Sequence, residues 1–179
     1  MGDDEELLDI VDGSDLVVGS LSRGLVYSQN LRNFRTVNLF ALNENSLIIT
    51  PRRSLSKKMF PGSLDFSVGG HVCSGETYDT AIIRELKEEL GLELPIGKVT
   101  SLGKLSPLEH GVSSFMMVYM CRLFSGEIGR LSAEHMEISL FRFDDLVTRI
   151  KEESFTTPAK DDFLPVLKSF EVYLRKCQV

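Results

Sequence analysis

Three carboxylates at helical spacing are the first sign of chemistry in this chain. Glu85, Glu88 and Glu89 fall at i, i+3 and i+4 in the run Arg84-Glu85-Leu86-Lys87-Glu88-Glu89-Leu90-Gly91-Leu92. On a helix their side chains converge in one sector. Like charges at that spacing disfavour a helix by about 0.2–0.5 kcal/mol per pair, and the C-terminal half of a helix favours cations. Something positive must offset them. Arg84 and Lys87 can do so as partners on a solvated face, which is the plain alternative to function. Upstream, a glycine-rich approach (Gly69, Gly70, Gly75) carries a further acid, Glu76. Hard oxygen ligands beside such a loop suit Mg²⁺ or Mn²⁺, which take carboxylates and bridge to substrate phosphates.

A helix must hold these acids, and the sequence supplies its signals. Thr77 is a fitting N-cap with Asp79 in the first turn, and Gly91 stands where a left-handed C-cap residue belongs. Ile82, Ile83, Leu86 and Leu90 gather on one side, which predicts a core-facing stripe. Ahead of it, residues 51–62 read as a loop bearing Arg52, Arg53, Lys57 and Lys58. A solvated basic loop is the plain reading. Beside a carboxylate cluster, phosphate binding is the better one, with Arg53 in bidentate contact and Lys57 as a point charge.

The spacing of Gly70, Glu76 and the run 84–92 resembles the Nudix box, without departure at its fixed positions. The resemblance implies an α/β/α sandwich on a mixed β-sheet, with the box as a loop–helix–loop. It implies divalent-metal-dependent hydrolysis of a nucleoside diphosphate linked to another group, or of a similar organic diphosphate. Glu85, Glu88 and Glu89 would be metal ligands, with Glu85 also a candidate base. Arg84 would hold the acids by ion pairing, Glu76 and Gly70 would support them, and the Gly69 carbonyl would reach a metal. The family also draws a ligand or base from the region after the box, where Glu134 and Glu137 stand; surface glutamates are the equal alternative. His71, inside the box, is either a metal or substrate contact or a packing residue. Homodimers are frequent in the family.

A wider likeness, over roughly residues 6–150, is to the isopentenyl-diphosphate isomerase-like branch. It is carried by Leu8-Asp9-Ile10-Val11-Asp12, Gly19, Arg53-Ser54-Leu55-Ser56-Lys57-Lys58, Phe60-Pro61-Gly62 and Gly70-His71-Val72. The isomerases themselves use a cysteine and a glutamate around a metal held by histidines and acids. Here Gly69 stands in place of the cysteine, Tyr27 and Phe34 in place of two histidines, and Ser114 and Met116 in place of the acidic pair. Neither Phe34 nor Met116 can take the corresponding role. Hydrolysis is therefore expected over isomerisation. A non-catalytic diphosphate-binding domain is the third reading, and the complete acid cluster counts against it.

At 179 residues the chain suits a single domain, 1–179. Within it we expect an N-terminal hairpin and connection (6–33), a core (34–152) and a C-terminal helix (161–176). The net charge of −6 argues against a sequence-independent nucleic-acid binder. Cys73, Cys121 and Cys177 have neither even count nor metal spacing, so they read as free thiols in a reducing compartment. With no apolar run of membrane-spanning length and no basic-apolar leader at the acidic start, a cytoplasmic protein is expected, free of membrane. Strands are predicted at 7–11, 16–20, 35–42, 46–50, 99–105, 114–123 and 137–143. Residues 22–33 read as irregular, and Asp144 as the cap of a short helix.

Overall fold

A computed structural model describes residues 3–58, 60–124, 133, 135–152 and 160–177. The chain opens with β1 (Leu7–Val11) and β2 (Val17–Ser22), which form a two-stranded antiparallel sheet. Asp12 shapes the turn by accepting the amides of Ser14 and Leu16 at 2.8 and 3.0 Å. A short helix, α1 (Arg23–Ser28), follows where the sequence reads as irregular. Six residues including a glycine and a β-branched valine carry little helical signal. Burial decides it: Val26 packs with Leu8 and Phe34 in a small cluster of its own.

The main sheet has six strands in the order β6 (Val99–Leu105), β7 (Phe115–Arg122), β3 (Arg35–Leu42), β4 (Ile48–Arg53), β8 (His135–Phe141), with β5 (Val68–His71) also on β3. β3 runs parallel to β7 over its whole length and antiparallel to β4 and β5, so the sheet is mixed. One edge of β3 is shared. β5 takes its first half, from Thr36 opposite His71 to Leu39 opposite Val68, and β4 meets only its end, Leu42 opposite Ile48.

Two apolar layers sandwich the sheet. On one face, Val37, Leu39, Ile49, Val68 and Tyr119 pack against Ala81, Ile82, Leu86 and Leu90 of α2 (Tyr78–Leu90). On the other, Phe40, Leu42, Ile48, Met116, Val118 and Met120 pack against α4 (Phe143–Glu152) and α5 (Lys160–Cys177) through Leu146, Ile150, Phe163, Val166, Leu167 and Phe170. The alternation along β3 and β7 that fills both faces is the expected period of two. A short α3 (Pro107–His110) links β6 to β7. This is the α/β/α sandwich. No described helix is long and apolar enough to cross a membrane.

Three expectations need correction. Gly69 and Gly70 lie on a strand and not in a loop, because the open edge of β3 pairs with them despite their lack of side chains to alternate. Arg52 and Arg53 also end a strand: β4 runs as far as Arg53, three residues into the predicted loop, paired with β8 on one side, and Arg52 bridges to Leu64. Asp144 sits inside the first turn of α4 and does not precede it. Its charge there complements the helix dipole.

Candidate active site

α2 begins and ends as its sequence dictates. Thr77 caps it in a reciprocal capping box with Thr80, and Gly91 closes it in the left-handed region at φ 65°. Leu92 then donates its amide to the Leu86 carbonyl and Gly91 to the Lys87 carbonyl, both at 3.1 Å, which satisfies carbonyls of the last turn. Tyr119 fixes the first turn from the sheet side by donating to Asp79 at 2.7 Å. The helix is thereby held at both ends over β5, and its acids face the outer edge of that strand.

Arg84 is the hub. Its Nε and Nη2 form a two-pronged contact with the Glu76 carboxylate, both at 2.9 Å. Nη1 donates to Glu85 at 2.7 Å and to Glu88 at 3.2 Å, and Nη2 also reaches the His71 carbonyl at 2.8 Å. The bonds to Glu76 raise the already high pKa of the guanidinium, so Arg84 is a fixed cation. Glu76 also accepts the Cys73 amide at 3.0 Å. Burial alone would raise its pKa, but the Arg84 and Cys73 bonds prevail and hold Glu76 below the ordinary carboxylate range.

Glu85 is the opposite case. It is only 8% exposed, and its carboxyl lies flat against Gly70. A Cβ on Gly70 would fall 2.0 Å from the Glu85 carboxyl group, so a side chain there would push that carboxyl out of its place. Burial pushes the Glu85 pKa up to about 7, with Arg84 only partly opposing. Glu89 accepts the Gly69 amide at 3.1 Å, on the edge of β5 that β3 leaves open. Glu88 is the most exposed of the three.

The loop that delivers the chain to α2 is propped from the N-terminal hairpin. Asp9, itself buried, accepts the Ser74 hydroxyl at 2.6 Å and the Gly75 amide at 3.2 Å, while Ser74 donates its amide to Leu7 and Leu8 bridges to Cys73. Sequence spacing gives no sign of this role for Asp9, which lies 65 positions from Ser74. Cys73 donates to Glu6 at 3.1 Å, and burial together with that carboxylate pushes the thiol up to about 12. It is no thiolate nucleophile.

The structure gathers Glu76, Arg84, Glu85, Glu88, Glu89, Gly69 and Gly70 at one strand edge. The other predicted residues have different partners. His71 turns its ring to the opposite face, where it meets the Tyr27 hydroxyl at 2.9 Å and stacks on Phe34 at 5.7 Å. Burial pushes His71 down to about 3, so it is neutral. Arg53 donates to Asp65 at 2.5 Å, and Arg52 donates to Glu137 at 3.1 Å and to the Gly62 carbonyl at 2.8 Å. Lys57 sits half-buried in the turn after β4. Glu134 lies outside the described residues.

A divalent cation fits this donor set. Three carboxylates, Glu76, Glu85 and Glu88, share one guanidinium, Glu89 stands beside them on the Gly69 amide, and the most buried of the four, Glu85, lies against bare glycine backbone. Among the described residues no three His, Cys, Asp or Glu side chains are already drawn into one ligand group. The geometry gives the reason: Arg84 Nη1 bonds to both Glu85 and Glu88. Glu88, 57% exposed at its side chain, has room to turn.

The fold and this site define the class. The NUDIX domain family model matches residues 32–165, and the chain belongs to the Nudix family. It is 52% identical over 123 residues to an uncharacterized Nudix hydrolase of Nostoc sp., covering 69% of this chain and 73% of that one. A Nudix hydrolase of Deinococcus radiodurans is 43% identical over 68% of this chain and 70% of its own. The crystal structure of DR0079 from Deinococcus radiodurans superposes with a TM-score of 0.76 at 36% identity, covering 89% of this chain and 97% of that one. An isopentenyl-diphosphate Delta-isomerase of Salmonella heidelberg is 37% identical over half of each chain. The protein is accordingly a hydrolase of the class that acts on diphosphate bonds.

Proposed function

We propose that the protein is a Mg²⁺- or Mn²⁺-dependent cytoplasmic hydrolase that cleaves the diphosphate linkage of a nucleoside diphosphate joined to another group, or of a similar organic diphosphate. It works as one domain, the hairpin at 6–33 and the helix at 161–176 serving the core at 34–152. The observation that carries this reading is the charge imbalance at the strand edge, three carboxylates on one arginine, with Glu85 buried against Gly70. An acid cluster built only for stability would be matched by cations.

Glu85, Glu88 and Glu89, with the Gly69 carbonyl, would hold the metal. When bound, it supplies charge neutralisation to the phosphates and lowers the pKa of a coordinated water. Arg84 keeps the acids from splaying apart, and Glu76 fixes Arg84. Glu85, poised near neutral pH, is suited to take the proton of the attacking water, and Glu137 is the alternative base. Arg53 and Lys57 position the phosphate that is not attacked. Asp65 orients the Arg53 guanidinium for this task.

Isomerisation is the second reading, and the side chains oppose it. Met116 and Phe34 are buried in apolar clusters, and Ser114 is fully buried with its hydroxyl on Thr36 at 2.8 Å. None can move a proton to or from carbon. The test is a panel of diphosphates with Mg²⁺ and Mn²⁺ in ¹⁸O-water, where label is expected on a phosphate product. With isopentenyl diphosphate in D₂O, enzymatic formation of deuterated dimethylallyl diphosphate would overturn the proposal.

A further inference from the structure

We infer that Asn38 is a specificity residue of this site: its amide donates a hydrogen bond to an acceptor oxygen or nitrogen on the organic group of the diphosphate substrate. This rests on the hydrolase reading above and narrows it, because a hydrocarbon group such as a prenyl chain has no acceptor to offer. Asn38 lies in the middle of β3 and is only 6% exposed. Its Nδ2 is buried and meets no hydrogen-bond partner. Buried polar groups are nearly always satisfied, and one left unpaired costs stability. A partner from outside the chain accounts for its presence.

The place of the amide points to the substrate. In the register of β3 and β5, Asn38 stands directly opposite Gly69. Gly69 donates its amide to Glu89 at 3.1 Å, and its carbonyl is the one assigned to the metal. Val37 and Leu39 on either side of Asn38 face α2, so Asn38 points to the other face. A Cβ on Gly69 would lie 3.1 Å from Asn38 Oδ1 and 3.6 Å from the Phe66 ring. Gly69 itself is only half-buried and leaves the amide uncovered, with Phe66 as a wall beside it. The Tyr27 hydroxyl, bonded to His71 on that same face, feels the charge of Arg53. The group assigned to the phosphate and the Asn38 amide thus flank one stretch of β5.

Thr50 supplies the contrast. Its hydroxyl is also buried and without a partner. It is 1% exposed, opposes Ser139 of β8 in the register, and follows Ile48 of the apolar layer under α4 and α5. No residue of the box pairs with it.

The test joins stability to selectivity. Asn38→Leu keeps the branching of the side chain and removes the donor, and Asn38→Val does so with less bulk. At least one of them should keep or raise the unfolding midpoint of the metal-free chain, since an unsatisfied amide is gone. Both should bind Mg²⁺ as the native chain does. Their kcat/KM for a nucleoside diphosphate sugar should fall about 10–100-fold, the loss of one hydrogen bond to a buried group. Hydrolysis of geranyl diphosphate should not fall with it, and Thr50→Val should leave the preference between the two substrates unchanged. A midpoint lowered in both Asn38 variants would mean that the amide is already satisfied within the fold, and would overturn the inference. Native turnover with a preference that neither variant moves would overturn it too, while leaving the hydrolase reading intact. No turnover on any diphosphate would sink that reading, and this one with it.

Discussion

Two acidic centres in this protein have inverse charge arithmetic. At the tip of the N-terminal hairpin Asp15, 8% exposed and with φ at 64°, is met by Arg35 Nε at 2.7 Å, Lys104 Nζ at 2.6 Å and the Tyr78 hydroxyl at 3.0 Å. Arg35 also donates to the Asp15 carbonyl at 2.5 Å. Two cations and a hydroxyl serve one carboxylate, and they come from β3, β6 and α2. At the edge of β5 the ratio is reversed, with three carboxylates, Glu76, Glu85 and Glu88, around Arg84. The first centre is complete as it stands and pins the hairpin to the sandwich. The second has less positive charge than its acids, as the proposed cation site requires. Burial acts on both, yet the pKa shifts diverge. Burial raises Asp15, but Lys104 and Arg35 outweigh it and the net shift is downward. Glu85 has only a shared arginine and rises to about 7.

That contrast is testable, beginning with its largest consequence. Glu85→Gln should lower kcat by about 10²–10⁴-fold, the usual loss for a positioned acid–base group. Its denaturation midpoint without metal should hold or rise, since a disfavoured buried charge is gone. Near-normal kcat would remove Glu85 from the chemistry.

Asp15→Ala should show the converse. Stripping one partner from a buried ion pair costs about 3–5 kcal/mol. The lower end applies here, because Lys104 is 42% exposed at its side chain and keeps its hydration. Urea unfolding should register that loss while kcat of the folded fraction stays level. A stability loss below measurement error would mean that the hairpin is held elsewhere.

A smaller effect separates the centres by affinity. Glu88→Gln and Glu89→Gln should each weaken Mg²⁺ binding in titration calorimetry by about tenfold or more. Asp15→Asn should leave it unchanged. If all three bind alike, the box acids are a solvated face.

The smallest signal is the opposite pH dependence of the two acids. A carboxyl whose folded pKa exceeds its unfolded one adds stability below the unfolded value, and loses it as pH climbs through the folded value. In metal-free protein Glu85 should therefore make stability fall between about pH 4.5 and about pH 7. Asp15, with a depressed folded pKa, contributes above the ordinary carboxylate range and loses that contribution as pH drops. Unfolding midpoints followed with a chelator present should decline toward neutral pH, and Glu85→Gln should flatten that decline. A decline that persists in the variant would belong to another group.

Much of this was readable from local sequence, for physical reasons. α2 is written in its caps and its apolar stripe, because both depend on neighbours within one or two turns. The convergence of Glu85, Glu88 and Glu89 follows from helical geometry alone. β3, β6 and β7 show themselves by alternation that serves two packed faces. The resemblance of the box to the Nudix family is also carried by local sequence, and that resemblance implies the sandwich.

What only the tertiary structure decided is long-range. β5 has two glycines and no pattern of its own; it is a strand because β3 leaves half an edge open. α1 exists because Val26 finds a pocket between Leu8 and Phe34. Asp9 and Asp15 look like turn and strand residues in the sequence, yet their partners stand 65 and 89 positions away at Ser74 and Lys104. Arg53 reads as a free loop cation until Asp65 meets it on a strand. A helix fixes which side chains can act together through its own backbone period. Whether a carboxylate ends as a clamp or as a site depends on which cations the rest of the chain brings to it, and that is set by packing across the sheet.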